Sequence, residues 1–403
     1  MDEIRTLRQE DIDGSLKLSQ FAFQYEIPES EWIEARQDTN PEQIYAVYVN
    51  NNLAAKLHLL PFSVYIGGVP FAMGGVAGVA TWPEYRRGGR VAQLLHHALG
   101  VMKDAGQVVS LLAPFSFSFY RKYGWEHCID RKQYTIHKVD WPKFSDAVGS
   151  VRRSDDLNEL KPPYETFASR YSGMLQRTDE WWQRREKRWG TAIRAGYQTE
   201  SGAAEGYIVY QVKQSTLTIH EFVYITEEAR QGLWNFINNH DSMADKVTLI
   251  APTNDVLPFL LPNPRITQEI VPYFMARIVD VEKFLRQFPF VRFPLAHDAS
   301  NLSNTLLNIR VTDVHAPWNE GTFQVRLPVA DSGDVTVERL SVDSSDSLLD
   351  VVSMDIQTLT AVMFGYQRPS LLQQLGRISG SRETIQALEQ SLPPQTPFLY
   401  DFF

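Results

Sequence analysis

A run of glycine and arginine residues, between a predicted strand and a predicted helix, has the residue types of an anion-binding site. The run reads Pro83-Glu84-Tyr85-Arg86-Arg87-Gly88-Gly89-Arg90-Val91-Ala92. A helix N-terminus that follows glycine presents unpaired backbone N–H groups to an anion. Glycine lets the backbone approach oxygen atoms closely, and arginine adds charge-assisted hydrogen bonds. The run therefore fits a pyrophosphate, although a glycine-rich turn with solvated arginines would use the same residues.

The spacing within this run argues against the two commonest nucleotide-binding loops. It matches neither the GxxxxGK[ST] pattern of the P-loop nor the GxGxxG pattern of dinucleotide-binding folds. An NTPase and a dehydrogenase are therefore both disfavoured.

The composition favours a soluble globular protein and limits its partners. Hydrophobic residues make up 43% and charged residues 22%, and no apolar run approaches the roughly 18 residues that span a bilayer. The net charge of −9 argues against nucleic acid and suits a cationic substrate such as an amine. Cys128 is the only cysteine, so neither a disulfide within the chain nor a cysteine cluster for a metal is possible. With no secretory signal in the N-terminal residues, we expect a cytoplasmic protein without a metal or a membrane partner.

Periodicity and turn residues divide the chain into units 1–145, 146–288 and 289–403. The first unit has strands at 44–49, 53–59 and 62–66, a helix at 89–105 ended by Gly106, and strands at 108–113 and 132–137. The second repeats this order roughly, without alignable sequence, and its basic, aromatic stretch 181–189 is interpreted as an amphipathic helix. The third has strands followed by helices near 346–350, 356–364 and 383–390, which is typical of a small α+β domain.

Three segments resemble known acetyltransferases. Arg86-Arg87-Gly88-Gly89, after a Gly-Val-Ala-Thr strand, resembles the acetyl-CoA loop of the GNAT acetyltransferases, Arg/Gln-x-x-Gly-x-Gly/Ala, from which Val91 departs at the last position. The run 114–125, Pro-Phe-Ser-Phe-Ser-Phe-Tyr-Arg-Lys-Tyr-Gly-Trp, resembles the "PF…FYRxFGY" segment of the Eis-like (enhanced intracellular survival) acetyltransferases. The segment from Asp313 to Gly321 resembles the "D…PWN.G" turn of their third domain.

This resemblance covers the whole chain and implies its fold class. That class is α+β (mixed α/β): two tandem GNAT domains, of which the second is degenerate, followed by an α+β domain like sterol carrier protein. The resemblance also implies a homo-oligomer, with a hexamer as the expected assembly, although no feature of the sequence fixes the number.

The resemblance implies that acetyl-CoA binds in the first unit as a co-substrate. The loop would hold its pyrophosphate, and the preceding strand would pair with its pantetheine and direct an N–H at the thioester oxygen, which stabilises the oxyanion. The loop residues are Arg87, Gly88, Gly89, Arg90, Val91 and Ala92, with Arg86 at the edge; the strand residues are Val79, Ala80 and Thr81; Phe115 and Ser116 would border the acetyl end. The second unit has no equivalent loop, and we expect it to bind no coenzyme.

In these acetyltransferases a tyrosine acts as general acid, and Tyr120 matches it within the aromatic run. A phenol with a pKa of about 10 is protonated at neutral pH, and a thiolate accepts its proton readily. Tyr120 would therefore protonate the departing CoA thiolate. The alternative is that Tyr120 is only one more core aromatic. Tyr123 is the other candidate, but it stands where the family has phenylalanine.

The resemblance implies that the general base is the α-carboxylate of the last residue, here Phe403. The final residues, Pro397-Phe398-Leu399-Tyr400-Asp401-Phe402-Phe403, are apolar and aromatic. A disposable tail would be polar, so this composition predicts that the segment is buried in the first unit. Simple docking of an apolar terminus is the alternative. Any C-terminal extension would move the carboxylate from its place.

The substrate site and the reaction follow as expectations. Glu26, Trp32 and Asp401 could form an acidic, aromatic cleft for a polyamine-like or aminoglycoside acceptor, although each alone would also fit a surface or packing role. We expect direct acetyl transfer to a primary amine, because no activated Cys or Ser constellation is present. Transfer to a protein lysine or N-terminus stays open, as does a non-catalytic module that binds acyl-CoA or lipid.

Overall fold

The computed structural model describes residues 2–144, 148–291, 305–327, 334–341 and 350–403. Its first unit alternates strands and helices in the order predicted from the sequence. The strands are β1 (Asp2–Thr6), β2 (Ile44–Val49), β3 (Asn52–Ile66), β4 (Val69–Thr81), β5 (Val109–Leu112) and β6 (Glu126–His137), and the helices are α1 (Ile12–Phe23), α2 (Trp32–Gln37), α3 (Arg90–Asp104) and α4 (Phe117–Arg121).

Glycines with positive φ shape the connections around β4 and α3. β3 enters β4 through Gly67 (φ 58°) and Gly68 (φ 83°), the conformation that a two-residue hairpin turn requires. Gly106 (φ 73°) follows the end of α3, as predicted for a residue that terminates a helix. The sequence pattern predicted two strands, at 53–59 and 62–66, but the structure has the single strand β3 across both.

The second unit has the same alternation. Its strands are β7 (Ser150–Arg153), β8 (Tyr171–Ser172), β9 (Ile193–Gln198), β10 (Ala204–Lys213), β11 (Thr216–Tyr224), β12 (Lys246–Ala251) and β13 (Thr267–Ile278), and its helices are α5 (Lys161–Ala168), α6 (Asp179–Trp189), α7 (Glu227–Asn238), α8 (Leu257–Leu260) and α9 (Val281–Gln287). Helix α6 is amphipathic, as predicted: Thr178 accepts a hydrogen bond from the N–H of Trp181, and Trp182 and Trp189 are buried.

The two units exchange strands within one 12-stranded sheet. Its order is β1-β2-β3-β4-β5-β13-β6-β12-β11-β10-β9-β7. Strand β13, from the end of the second unit, lies between β5 and β6 and pairs with both antiparallel, and β6 of the first unit pairs with β12. Each unit therefore completes the sheet of the other, which the sequence division into self-contained units did not predict.

The third unit is a smaller sheet with helices. Its strands, in the order β16 (Thr336–Leu340), β15 (Gly321–Leu327), β14 (Thr305–Thr312) and β17 (Val351–Asp355), pack with helices α10 (Ile356–Met363), α11 (Pro369–Gln374) and α12 (Arg382–Ser391). The helix predicted near 346–350 falls mainly outside the described residues. A last short strand, β18 (Thr396–Pro397), pairs parallel with β8. One apolar core runs from the third unit into the first, and it contains Phe71, Met73 and Ile309.

Helices cover both faces of the sheet around β3. Leu57 and Leu59 pack with α3 on one face. On the other face Lys56 is buried against α1, where its Nζ donates to the carbonyl oxygen and hydroxyl of Ser15 and to the hydroxyl of Ser19, each at 2.7 Å. Burial lowers the pKa of Lys56 to about 7.

Neither a membrane-spanning helix nor a cluster of metal ligands is present among the residues that the structure describes. In that part of the chain no helix is long and apolar enough to cross a membrane. The same residues contain no group of three or more His, Cys, Asp or Glu side chains that could hold a metal ion.

Candidate active site

Strands β4 and β5 separate and leave a wedge between them. They pair in parallel from Met73 and Val109 to Val76 and Leu112, where β5 ends, while β4 continues to Thr81. Just past that point the register between β3 and β4 shifts, so that β4 carries one extra residue around Gly78 (φ 55°). A bulge of this kind turns the backbone of a strand, and here it lies in the β3–β4 ladder, in the part of β4 that continues beyond β5.

The free edge of β4 is formed by three residues that the sequence assigned to pantetheine, Val79, Ala80 and Thr81. Val79 and Thr81 are half-buried and Ala80 is buried. The Thr81 hydroxyl is buried, and within the described residues it has no hydrogen-bond partner. Because a buried hydroxyl without a partner is costly, this position fits an amide-bearing ligand that lies along the strand.

The arginine and glycine residues form an open loop in front of α3. Arg87 (φ 63°) and Gly89 (φ 73°) both have left-handed backbone conformations, and Gly88 and Gly89 are exposed. Gly89 precedes the first residue of α3 without a side-chain cap. The first N–H groups of the helix therefore face the loop, where an anion can bind them.

Arg90 holds the loop in shape with its side chain. Its Nη1 donates to the carbonyl oxygen of Tyr85 at 2.9 Å, and its Nε lies 3.2 Å from Oδ2 of Asp2. A β-carbon on Gly88 would lie 2.3 Å from that same Nη1 atom. Arg90 thus offers an anion its backbone N–H, whereas the exposed side chains of Arg86 and Arg87 offer charge.

The last two of the loop residues named from the sequence lie in the first turn of α3. Val91 and Ala92 are half-buried, and Val91 packs against the core of the first unit. Valine is therefore accommodated at the position where it departs from the GNAT pattern.

Tyr120 is buried at the base of the wedge. Helix α4 begins after Ser116, whose hydroxyl accepts a hydrogen bond from the N–H of Phe119 at 3.3 Å. The Tyr120 ring contacts those of Phe115 (5.2 Å) and Trp125 (6.5 Å), and it belongs to the same core cluster as Val76 and Leu112. Burial raises its pKa above the ordinary value for a phenol, so Tyr120 keeps its proton at neutral pH.

The other candidate, Tyr123, has different neighbours. Its ring contacts His96 of α3 at 5.8 Å and His315 of the third unit at 5.3 Å. Those two histidines are hydrogen-bonded to each other at 2.7 Å. Tyr123 therefore takes part in a contact between the first and third units, and it packs only at the border of the cluster in which Tyr120 is buried. Phe115 is 68% exposed and borders the wedge mouth.

The C-terminal residues are held by their main-chain carbonyl groups. Arg131 donates to Leu399 O at 2.9 Å and to Tyr400 O at 2.7 Å. Tyr273 donates to Asp401 O at 2.7 Å, and Arg188 donates to Phe402 O at 2.6 Å. Four consecutive carbonyl oxygens (399–402) are bound in this way, which fixes the direction of the segment.

Phe403 reaches the wedge. Its ring lies 4.9 Å from that of Phe62 and 5.0 Å from that of Phe274, and it contacts Gly75, one residue before β4 and β5 separate. Phe403 is half-buried, so the prediction that the end of the chain is buried in the first unit agrees with the structure only in the contacts of its ring with Phe62 and Gly75. Residues 398–401 are buried mainly against the second unit instead.

Asp401 is not available to a substrate, which corrects the prediction that it lines an acidic cleft. It is fully buried, and its carboxylate accepts hydrogen bonds from Arg177 Nε at 3.1 Å and from Trp181 Nε1 at 2.9 Å. Arg185 lies 3.4 Å from it and also binds Glu221 at 2.6 Å. Since two arginines neutralise the two carboxylates, Asp401 serves to anchor the chain end.

The other two predicted substrate residues lie in the first unit, in the segment that follows α1. Glu26 is exposed after α1, and Trp32, the first residue of α2, is half-buried. Three neighbouring aromatic side chains are unusually exposed for their size: Phe21, Phe23 and Tyr25. The Phe21 ring contacts Trp82, directly after β4, at 5.1 Å. This segment therefore lies beside the end of β4.

Sequence reasoning missed several residues of the site. They are Phe62, Arg131, Arg188, Tyr273 and Gly75. They come from β3, β6, α6, β13 and β4, and they have no short motif in common. Only the folded chain brings them together.

The three units match known domain families in the same order. Residues 3–128 and 173–278 match families described as acetyltransferase (GNAT) domains, and residues 281–400 match the sterol carrier protein domain. A protein of Streptomyces avermitilis named an N-acetyltransferase is 23% identical over 396 residues, which cover 91% of this chain and 89% of its own. A similarly named protein of Streptomyces griseus is 22% identical over 249 residues, and the match spans only 60% of its length.

Solved structures share the whole architecture. An Enterococcus faecalis V583 protein described as a probable N-acyltransferase superposes over all of both chains with a TM-score of 0.89 and 28% identity. Eis1 from Mycobacterium abscessus does so with a TM-score of 0.81 and 19% identity, and thus has the same fold. The chain therefore has two GNAT acetyltransferase domains followed by a sterol carrier protein domain, the arrangement that the sequence resemblance implied, and it shares its fold with Eis1.

Proposed function

We propose that the chain is an acetyl-CoA-dependent N-acetyltransferase that acts on a primary amine of a small cationic acceptor. The observation that carries the proposal is the wedge between β4 and β5, beside which Tyr120 is buried and against which Phe403 packs. The position of a proton donor and of the end of the chain beside the same wedge supports the proposal that the thioester binds there.

Different residues bind the coenzyme, accept the proton of the amine and protonate the thiolate in the proposed reaction. Acetyl-CoA supplies an activated acetyl group; residues 86–92 would bind its pyrophosphate, and the free edge of β4 would bind its pantetheine. The α-carboxylate of Phe403 takes the proton of the incoming ammonium group, and the free amine attacks the thioester carbonyl carbon. A β4 N–H beside the bulge stabilises the resulting oxyanion. As the carbon–sulfur bond breaks, Tyr120 gives its proton to the departing thiolate, and the proton that the acetylated nitrogen loses restores the phenol. The proton on the Phe403 carboxylate is then released to solvent.

Cys128 is unsuited to act as the nucleophile that a covalent acetyl-enzyme would require. Its side chain is fully buried in β6, and burial raises the pKa of the thiol well above the ordinary value. Direct transfer between the two substrates is therefore the mechanism that we propose.

The acceptor that we propose is an aminoglycoside or a similar polyamine. Its support is the segment after α1, which combines exposed aromatic rings, Phe23 and Tyr25, with three exposed carboxylates, Glu26, Glu29 and Glu31. Aromatic faces and carboxylates both attract ammonium groups. We further propose that the enzyme is cytoplasmic and forms homo-oligomers, with six subunits as the expected number, which light scattering on a sizing column would test.

The experiment is thiol release from acetyl-CoA with aminoglycosides, linear polyamines and a lysine-containing peptide as acceptors. The wild type is compared with a chain that carries one added glycine after Phe403, and acetyl-CoA binding is measured calorimetrically for both. Turnover of small amines that is lost in the extended chain, with binding retained, supports the proposal. Turnover that survives the extension overturns the assignment of the base. Turnover of the peptide alone points to a protein acceptor, and binding without any turnover points to a non-catalytic acyl-CoA module.

A further inference from the structure

The second GNAT domain contains its own wedge. Strands β11 and β12 pair in parallel from Thr216 and Lys246 to Ile219 and Leu249, and β11 then continues alone to Tyr224. Just past Ile219 the register with β10 shifts, so that β11 carries one extra residue. The bulge and the separation of the strands occur in the same relation as in β4 and β5. This wedge is thus the counterpart of the coenzyme groove.

The phosphate end of this second groove is unsuited to a coenzyme. Only Ile225 and Thr226 connect β11 with α7, and the Thr226 hydroxyl already accepts a hydrogen bond from the N–H of Ala229 at 3.3 Å. The first turn of α7 contains Glu227 and Glu228. Two carboxylates at a helix N-terminus repel the anion that the arginine and glycine loop of the first domain would attract.

The groove is filled by the side chain of Tyr400. Its hydroxyl accepts a hydrogen bond from the N–H of Phe222 at 3.3 Å and donates one to the carbonyl oxygen of the same residue at 3.0 Å. Phe222 lies three residues past Ile219, where β11 and β12 separate, just as Val79 lies three residues past Val76 in the first domain. The tyrosine therefore binds the stretch of backbone that corresponds to the pantetheine edge of β4.

Little space is left in this groove. The cavity beside Tyr400 has a volume of about 20 Å³ and is lined by both strands of the wedge, including Phe222, Tyr224 and Ala251. Such a volume holds roughly one water molecule. The Tyr400 ring is 4% exposed and lies 6.1 Å from the ring of Phe167, in a stacked arrangement.

The residues on both sides of Tyr400 are bound by the same domain. Thr396 and Pro397 pair with β8, and Asp401 is bound by Arg177 and Trp181. Arg177 also binds Glu221, directly before Phe222, with an Nη2–Oε1 distance of 2.6 Å. A continuous set of contacts from residue 396 to residue 402 thus leads to Phe403, whose ring lies in the first domain.

We propose that the coenzyme groove of the second GNAT domain is the binding site of the chain's own C-terminal segment, with the Tyr400 hydroxyl at the place of a pantetheine amide. Through this site the second domain holds Phe403 against Gly75, and Tyr400 is a positioning residue. The docking of the segment rests on these contacts alone, whereas the effect of Tyr400 on turnover rests on the proposed function.

The test compares full-length Tyr400→Phe with Tyr210→Phe. Tyr210 lies in β10 of the same domain, and its hydroxyl is hydrogen-bonded to His240 at 3.1 Å, so both variants lose one buried hydroxyl. The first readout is the rate at which carboxypeptidase releases Phe403 and Phe402, together with hydrogen exchange of the Phe222 N–H. Loss of two hydrogen bonds should raise release on the order of tenfold in Tyr400→Phe and leave it unchanged in Tyr210→Phe. Equal protection in Tyr400→Phe and the wild type would overturn the proposal.

Chemical rescue gives a second, independent readout. Tyr400→Ala opens a cavity in the groove, and p-cresol should restore protection of the C-terminus, because its hydroxyl can bind the Phe222 backbone. Toluene has the same shape without the hydroxyl and should restore much less. Equal rescue by both compounds would show that the Tyr400 ring only fills the groove, and would overturn the role of its hydroxyl.

The kinetic readout separates this inference from the proposed function. In Tyr400→Phe we expect a lower kcat and an unchanged KM for acetyl-CoA, because the coenzyme loop lies in the other domain. Faster release of Phe403 in a protein without any amine turnover would keep the docking site and reject the acetyltransferase proposal. Normal turnover with faster release would reject the positioning role of Tyr400.

Discussion

The ring of Phe403 occupies the space that a side chain on Gly75 would need. A β-carbon on Gly75 would lie 2.9 Å from Cε2 of Phe403, well inside the contact distance of two carbon atoms. Gly75 is one residue before Val76, at which β4 and β5 separate. The absence of a side chain at position 75 therefore lets the end of the chain reach the wedge.

Gly75→Val should displace Phe403 and lower kcat. A shift of about 1 Å in a catalytic group can cost about 100-fold in rate, and we expect a loss of this order with acetyl-CoA affinity unchanged. Steady-state kinetics and calorimetry measure the two quantities. The control is Gly100→Ala in α3, where no atom of the described residues lies within 4 Å of the added carbon. A wild-type kcat in Gly75→Val would contradict the placement of Phe403 as the base.

Tyr120→Phe should remove the general acid and lower kcat roughly 100-fold. Because burial raises the pKa of Tyr120, the wild type should not lose activity through this group below about pH 10, the ordinary value for tyrosine. Initial rates of thiol release from pH 6 to 10 measure both effects. Tyr123→Phe, the neighbouring tyrosine, should keep most of the activity. Equal losses in the two variants would assign the effect to packing.

Gly89→Val should weaken acetyl-CoA binding. The position has open space but a φ of 73°, a conformation that costs an ordinary L-residue about 1–2 kcal/mol. We expect an increase in Kd of roughly tenfold, because the loop would have to adopt this strained conformation to bind the pyrophosphate. Gly89→Asn is the control, since asparagine tolerates left-handed backbone. Isothermal titration with acetyl-CoA measures both, and equal affinities in the two variants would argue against this role of the loop.

Lys56 should make stability increase with pH. Its pKa is lowered to about 7 in the folded protein, whereas a lysine in the unfolded chain has a pKa of about 10.4. Between these values the unfolded chain holds a proton that the folded chain does not, so the free energy of unfolding rises with pH by up to about 1.4 kcal/mol per unit. His58, 3.4 Å away, has its pKa lowered to about 3 and stays neutral throughout.

Urea unfolding at pH 6.5, 7.5 and 8.5 measures this effect as the difference between the wild type and Lys56→Met. The wild type should gain stability relative to the variant as pH rises across this range. Lys17→Met, on an exposed position of α1, should show no such trend. A difference that is constant with pH would mean that Lys56 keeps its proton when buried.

Local sequence patterns predicted the elements around the coenzyme loop closely. Gly106 and the apolar spacing of the helix predicted a helix at 89–105, and α3 spans Arg90–Asp104. The turn at Gly67 and Gly68 is equally local, because both glycines have the positive φ that the hairpin requires. Such features depend on neighbours within a few residues, which is why a single sequence contains them.

The features that sequence reasoning missed depend on partners far along the chain. Asp401 is an acidic residue near a predicted acceptor site, and nothing near it in the sequence indicates that Arg177 and Arg185 bury its charge. Lys56 falls on a strand pattern that does not reveal the serines of α1 as its partners. The exchange of β6 and β13 was missed for the same reason. The hydrophobic pattern of each strand is equally compatible with a place in the sheet of its own unit.

The exchanged strand also sets the order in which the chain can fold during synthesis. The last strand that the first unit supplies to the sheet, β6, ends at His137, but β13, which fills the gap between β5 and β6, ends at Ile278. At about 5–20 residues per second, a ribosome needs roughly 7 to 28 seconds to make the chain between them. During that interval β5 and β6 present unpaired edges, the kind of surface on which nascent chains aggregate or bind chaperones. The two GNAT domains therefore reach their native state together. A recombination event that transferred one domain without the other would leave its sheet incomplete.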